Sequence, residues 1–146
     1  MDFMKLLTAR SAMLDDLALL ALRLTSGGYL ALHGLSKLRG GVGNFAAGLA
    51  DKGFPLPSMM AWSATLSELL GGLLVALGLL VRPAAVSLVI TMLVAVLSTH
   101  AHQVKQLGTG GGVGFEYPSL LAVVMLLFAV GGPGKLSLDQ RLFPRT

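Results

Sequence analysis

Few residues in this chain can do acid–base or binding chemistry, and their placement is unusual. The two glutamates, Glu68 and Glu116, the histidines His33, His100 and His102, and Arg23 all fall within or against long apolar runs. A carboxylate or imidazole at low dielectric can hold or release a proton when a partner or a cavity supports it. The chemistry on offer is therefore proton exchange with, or recognition of, an anionic or quinone-like head group.

Other chemistries are excluded by what is missing. The chain has no cysteine, which removes disulfides, thiolate nucleophiles, Cys-ligated zinc and iron–sulfur clusters. It contains no phosphate loop, no paired catalytic carboxylates and no Ser-His-Asp order, and the run GTGGGVG lacks the strand-to-helix context of a dinucleotide site. His100 and His102, two apart, would point to opposite sides of a helix, and a third metal ligand would have to come from His33 or Glu116. No metal and no haem are expected.

The elements that must position these groups follow from composition. Of 146 residues, 54% are hydrophobic and 12% charged, with a mean hydropathy of +0.77. A soluble domain carries about 25% charged residues, so this balance reads as an integral membrane protein. A transmembrane helix takes about 20 residues, so four spans use about 80 and leave room for loops, whereas five or six do not fit. The net charge of +4 comes from Lys and Arg scattered singly between apolar runs, a pattern that sets topology and predicts no nucleic-acid partner.

The expected spans are about Leu17 to Leu35, Met59 to Val81, Ala84 to Thr99 and Tyr117 to Gly131, within one domain over residues 1–146. The first connection, Ser36 to Pro57, is rich in Gly and Pro, and Phe54-Pro55-Leu56-Pro57 stops any helix entering it. Spans two and three are joined only by a Val81-Arg82-Pro83 turn and form an antiparallel hairpin. The third connection, Ala101 to Glu116, is a glycine-rich loop, and the tail after Pro133 is expected along the membrane surface. The first ten residues carry Lys5 and Arg10, but Asp15, Asp16 and Arg23 interrupt a signal sequence, so this segment reads as an uncleaved cytoplasmic lead-in. With both termini inside, the cytoplasmic side holds Lys5, Arg10, Arg82, Lys135, Arg141 and Arg145 against Lys37, Arg39, Lys52 and Lys105 outside. The fold class is thus all-α, an integral membrane four-helix bundle with both termini cytoplasmic.

Helical periodicity gathers the small and polar residues into stripes. Arg23, Ser26, Gly27, Leu30, His33, Gly34 and Lys37 share one side of span one, and Ala61, Ala64, Thr65, Gly71, Gly72 and Val75 flank Glu68 on span two. Span three carries Ser87, Thr91, Ala95, Ser98 and, if the helix continues, His102. Such stripes should face one another, because small residues let backbones approach closely in lipid. At 1.5 Å per residue the levels of Arg23 and Glu68 differ by roughly 7 Å, within reach of an extended arginine. Two readings stay open: a structural Arg23–Glu68 ion pair, or a proton-handling or ligand-binding Glu68 held ready by Arg23. Nearer the outer surface, His33, Lys37, His100, His102, Glu116 and Tyr117 form a mouth that either binds a head group or simply anchors helix ends.

The runs LRLTSGGYLALHGLSKL, SELLGGLLVALGLLVRPAA, MLVAVLSTH, GFEYPSLL and GPGKLSLDQRL, in that order, resemble the DoxX family of small bacterial four-helix membrane proteins over roughly residues 17–143. Arg23, His33, Gly34, Lys37, Glu68, Gly71, Gly72, Arg82, Glu116 and Ser137-Leu138-Asp139 match its recurring residues. The resemblance favours His100 over the His102 of the stripe argument. It implies a multi-pass protein of the bacterial inner membrane associated with redox chemistry, including quinone reduction, with Glu68, Arg23, His33, Lys37, His100 and Glu116 as catalytic candidates. Glu68, His33, His100 and Tyr117 would bind the cofactor, a quinone. Expected partners are the lipid bilayer, a soluble or membrane redox protein and a second copy of the chain. Lacking cysteine, the chain would need a partner for any sulfur chemistry. The alternatives are a non-catalytic binding or assembly subunit, or a small proton-linked carrier built on Glu68.

Overall fold

The computed structural model describes residues 12–99 and 114–143, and among these there is no strand. His100, His102, Lys5, Arg10, Lys105 and Arg145 lie outside the described residues. Helix α1, Ala12–Arg39, has 28 residues and spans about 42 Å. Lys37 and Arg39 fall in its last turn, where a cation complements the carbonyl end of the helix dipole.

The expected loop after span one is largely helical. α1 runs on to Arg39, and a second helix, α2, spans Val42–Asp51. Its Val42, Ala46 and Leu49 recur at helical spacing and bury against Ala61, with Phe45, Phe54 and Met60 packed alongside. Gly43 and Gly48 lie on the exposed side of α2 with nothing near them, so they cost helix propensity but no packing.

Helix α3, Pro57–Leu77, opens with proline in its first turn, where the missing N–H is harmless, and contains a π-helical turn at Ser67–Gly71. Gly78, at φ 77°, ends it, and α4 begins at Val81 behind the left-handed Leu80. The hairpin turn is therefore Gly78 to Leu80, one turn earlier than the sequence reading placed it. Proline at 83 fits inside the first turn of α4 because that backbone position has no intrahelical acceptor to satisfy. α4 covers Val81–Val94 and continues as a π-helical turn, Ala95–Thr99. α5 is Glu116–Gly131 and α6 is the short Leu138–Leu142.

α1 packs on α3, and α4 packs on α5. The first contact is made by bare backbone. A Cβ on Gly72 would stand 2.5 Å from the Ala31 nitrogen, and one on Gly27 would stand 2.7 Å from the Gly72 carbonyl oxygen. The second contact is made by side chains, with Leu88 and Met92 of α4 set against Leu121, Met125 and Phe128 of α5. That packing turns the small-residue stripe of α4 away from the centre. Ser87 is exposed and Thr91 half-buried, and both hydroxyls lie at the α3 edge, where Ser67 Oγ is 2.8 Å from Ser87 Oγ and accepts from Thr91 Oγ1 at 3.0 Å.

The outer faces are apolar. Leu66, Leu70 and Leu73 on α3, Ile90 and Leu93 on α4, and Leu120, Val123, Leu127 and Val130 on α5 are all exposed. So much apolar surface is untenable in water and ordinary against acyl chains. By itself α3, with 21 residues, is long and apolar enough to cross a bilayer, while the apolar stretches Val81–Leu97 and Glu116–Gly131 are shorter.

Candidate binding site around Glu68

Glu68 sits in the π-helical turn of α3 with its side chain 3% exposed. The approach of α1 is what covers it. Gly34 leaves room for the backbone of Leu69, which contacts the place its Cβ would occupy. This close crossing carries Lys37 and His33, the neighbours of Gly34 on the same face, over the Glu68 carboxylate. Lys37 Nζ donates to Glu68 Oε1 at 2.7 Å, and His33 Nδ1 lies 3.8 Å from Oε2. Oε2 is buried with no hydrogen-bond partner among the described residues. One oxygen of the carboxylate is held and the other is unsatisfied, an arrangement that stable cores avoid.

A cavity of about 360 Å³ opens on this group, lined by Leu30, His33, Lys37, Phe45, Glu68, Met92, Ala95, Gly114, Tyr117 and Pro118. Its size falls within the range of about 300–1,000 Å³ typical of small-molecule sites. The Tyr117 ring stacks on His33 with centroids 6.3 Å apart and planes at 30°. Lys37 Nζ also lies 4.8 Å above the Phe45 ring. At 56% exposed, His33 marks the cavity mouth, and Lys37 at 20% spans from mouth to interior.

The structure does not form the Arg23–Glu68 pair. Arg23 is buried near the middle of α1, about four turns before Lys37, where Nη1 donates to the Pro133 carbonyl at 2.7 Å, Nη2 to Leu136 at 2.8 Å and Nε to Ala76 at 3.4 Å. Its side chain reaches the tail, because the chain after α5 folds back and presents the Pro133 and Leu136 carbonyls there. The tail is thus a clasp across α1 and the start of α4. Ser137 caps α6, and the Asp139 carboxylate accepts from the Leu80 and Val81 N–H groups at 2.7 and 2.9 Å, capping α4. Gly78 leaves the space the clasp needs, since a Cβ there would stand 2.8 Å from the Arg23 guanidinium carbon.

Of the candidates read from the sequence, Glu68, His33, Lys37 and Tyr117 come together. Arg23 does not join them, Glu116 is exposed and does not line the cavity, and His100 lies outside the described residues. Sequence reasoning missed Phe45, although the Val42, Ala46 and Leu49 spacing signals the helix that delivers it.

A model of the DoxX family matches residues 18–101. An uncharacterised membrane protein of Mycobacterium tuberculosis is 36% identical over 102 residues, covering 64% of this chain and 61% of the relative. The inner membrane protein YphA of Escherichia coli is 34% identical over 99 residues, covering 64% and 68%. A Bacillus subtilis protein named "Putative oxidoreductase CatD" is 32% identical over 130 residues, covering 88% and 89%. The chain thus spans about three fifths of the mycobacterial relative and most of CatD. No solved structure matches.

Proposed function

Because the chain belongs to the DoxX family of membrane proteins, we propose that it is the membrane component of a quinone-linked redox system, with the Glu68 cavity as the head-group site. One observation carries the reading: a buried carboxylate that lines a cavity, its Oε1 accepting from Lys37 while Oε2 has no partner among the described residues. The residues present suit a quinone head. Lys37 and His33 can donate to ring oxygens, and Leu30, Phe45, Met92 and Tyr117 offer apolar walls. The redox word in the name of CatD supports the same direction.

When bound, a quinone accepts two electrons with two protons. The chain's own contribution is proton handling. Glu68 Oε2 is the atom able to hold a proton inside, and Lys37 keeps the ionised form bearable in a dry site. His33 stands between Glu68 and the cavity mouth, 3.8 Å from Oε2, and its stacking on Tyr117 fixes the ring that would pass a proton outward. As part of the same reading, four helices cross the bilayer, α1, α3, α4 and α5, with both termini cytoplasmic and the Glu68 cavity towards the outer side.

The test is to purify the chain in detergent, extract lipids for quinone, and titrate a short-chain quinone analogue by thermal stabilisation. The expected result is saturable stabilisation of the wild type, weakened about tenfold or more in Glu68→Gln and His33→Ala, as loss of a charged or directional contact implies. If no quinone copurifies and analogues neither bind nor stabilise, the reading fails. The closed 2.7 Å Lys37–Glu68 contact favours a second reading, an assembly subunit whose ion pair fixes packing. It expects Glu68→Gln to lose stability or partner recovery while no small ligand is found.

A further inference from the structure

A second cavity, of about 390 Å³, lies at the other end of the molecule, between the α3–α4 turn, the end of α5 and the returning tail. Arg82, in the first turn of α4, lines it. Its Nε is buried without a partner, and among the described residues its guanidinium forms no hydrogen bond or ion pair. The group is nevertheless held in place. A Cβ on Gly132 would stand 3.4 Å from Nη2 and 3.6 Å from Nε, so the guanidinium lies across bare backbone at a residue whose φ of 87° favours glycine.

The nearby carboxylates are already committed. Both oxygens of Asp139 accept backbone N–H groups at the start of α4. Asp16 Oδ1 accepts from the Lys135 N–H at 3.2 Å, and its other oxygen stands 4.0 Å from Lys135 Nζ. Arg82 is therefore a fork of donors in a half-enclosed site with no acceptor at hydrogen-bond distance among the described residues. A guanidinium so placed matches a phosphate oxyanion, which can take its two Nη groups together. The cavity wall is apolar where Leu80, Pro83 and Phe143 line it, and Phe143 is exposed beyond it.

We propose that this pocket binds a phosphate group, with Arg82 as the bidentate donor and Lys135 at the rim. A phosphodiester of an anionic membrane lipid and free inorganic phosphate share that chemistry. The apolar wall, at the helix ends of a membrane protein, favours the lipid, whose acyl chains would lie along Leu80 and Phe143.

The experiment uses the full chain in detergent, with retention of phosphatidylglycerol and of a phosphate-free galactosyl diacylglycerol measured by native mass spectrometry. Millimolar inorganic phosphate is added as competitor. The wild type is expected to prefer phosphatidylglycerol by about tenfold, Arg82→Gln to lose most of that preference, and Arg141→Gln, an exposed arginine outside the pocket, to keep it. Retention unaffected by phosphate assigns the site to lipid, and displacement by phosphate assigns it to the free ion; both uphold the pocket. Equal retention of the two lipids with no effect of phosphate overturns it. So does a preference that survives in Arg82→Gln or falls equally in Arg141→Gln. If Arg82→Gln does not fold, Arg82→Lys decides the matter: it keeps the charge without the guanidinium fork and should lose about threefold or more, whereas wild-type retention refutes the bidentate contact.

Discussion

Replacing Lys37 with methionine removes the group that neutralises Glu68 and leaves the packing stem almost unchanged. The carboxylate is 3% exposed and Oε2 already lacks a partner, so the substitution leaves both oxygens buried and unpaired. Breaking a buried pair from one side costs about 3–5 kcal/mol. For a chain of this length that corresponds to a fall in Tm of about 10 °C. The reverse change, Glu68→Gln, should cost less, about 1–2 kcal/mol, because Lys37 remains 20% exposed and keeps the Phe45 ring beneath it. The double variant should resemble Glu68→Gln alone, since a neutral amide needs no counter-charge, giving a coupling as large as the Lys37→Met cost, about 3–5 kcal/mol. Thermal unfolding of the four proteins in one detergent measures the cycle. Additive losses, or a Lys37→Met variant as stable as the wild type, would show that the two charges are not paired and would remove the basis for a neutralised carboxylate facing the cavity.

Arg23→Gln should destabilise by about 3 kcal/mol and expose the tail, read as faster tryptic cleavage at Lys135 and Arg141; unchanged cleavage would separate Arg23 from the clasp. Gly72→Ala should cost about 1–3 kcal/mol by forcing α1 from α3, whereas Gly28→Ala, with open space around its Cβ, should be neutral or slightly stabilising; equal effects in Tm would refute the close crossing. Asp139→Asn keeps one acceptor for two N–H groups, so it should cost about 1 kcal/mol and speed amide exchange at Leu80 and Val81; exchange as slow as in the wild type would place their protection elsewhere.

Much of the helical layout was legible because its signals are local. The stripe Ser26, Gly27, Leu30 and Gly34 follows from spacing alone, and those residues are buried. So are Ala61, Thr65, Glu68, Gly72 and Val75. The helix inside the first connection was obscured by glycines that suggest a loop, although Val42, Ala46 and Leu49 mark an apolar face. The turn near residue 80 was displaced because proline at 83 reads as a breaker and is tolerated in a first helical turn. The π-helical turn carrying Glu68 has no sequence signature beyond the adjacent Gly71-Gly72.

The partners of the buried charges were not legible at all. Arg23 and Glu68 lie at levels an arginine could bridge, so axial arithmetic permits their pairing. A chain that returns after residue 131 to offer the Pro133 and Leu136 carbonyls to Arg23 is a long-range fact, and with the Ala76 carbonyl of α3 they occupy the guanidinium. That the chain is helical, apolar and sparing with charge can be read along it, because hydropathy and period are properties of each segment alone. Which charge neutralises which emerges from the fold, since it depends on the crossing that Gly34 and Gly72 allow and on where the tail comes to rest.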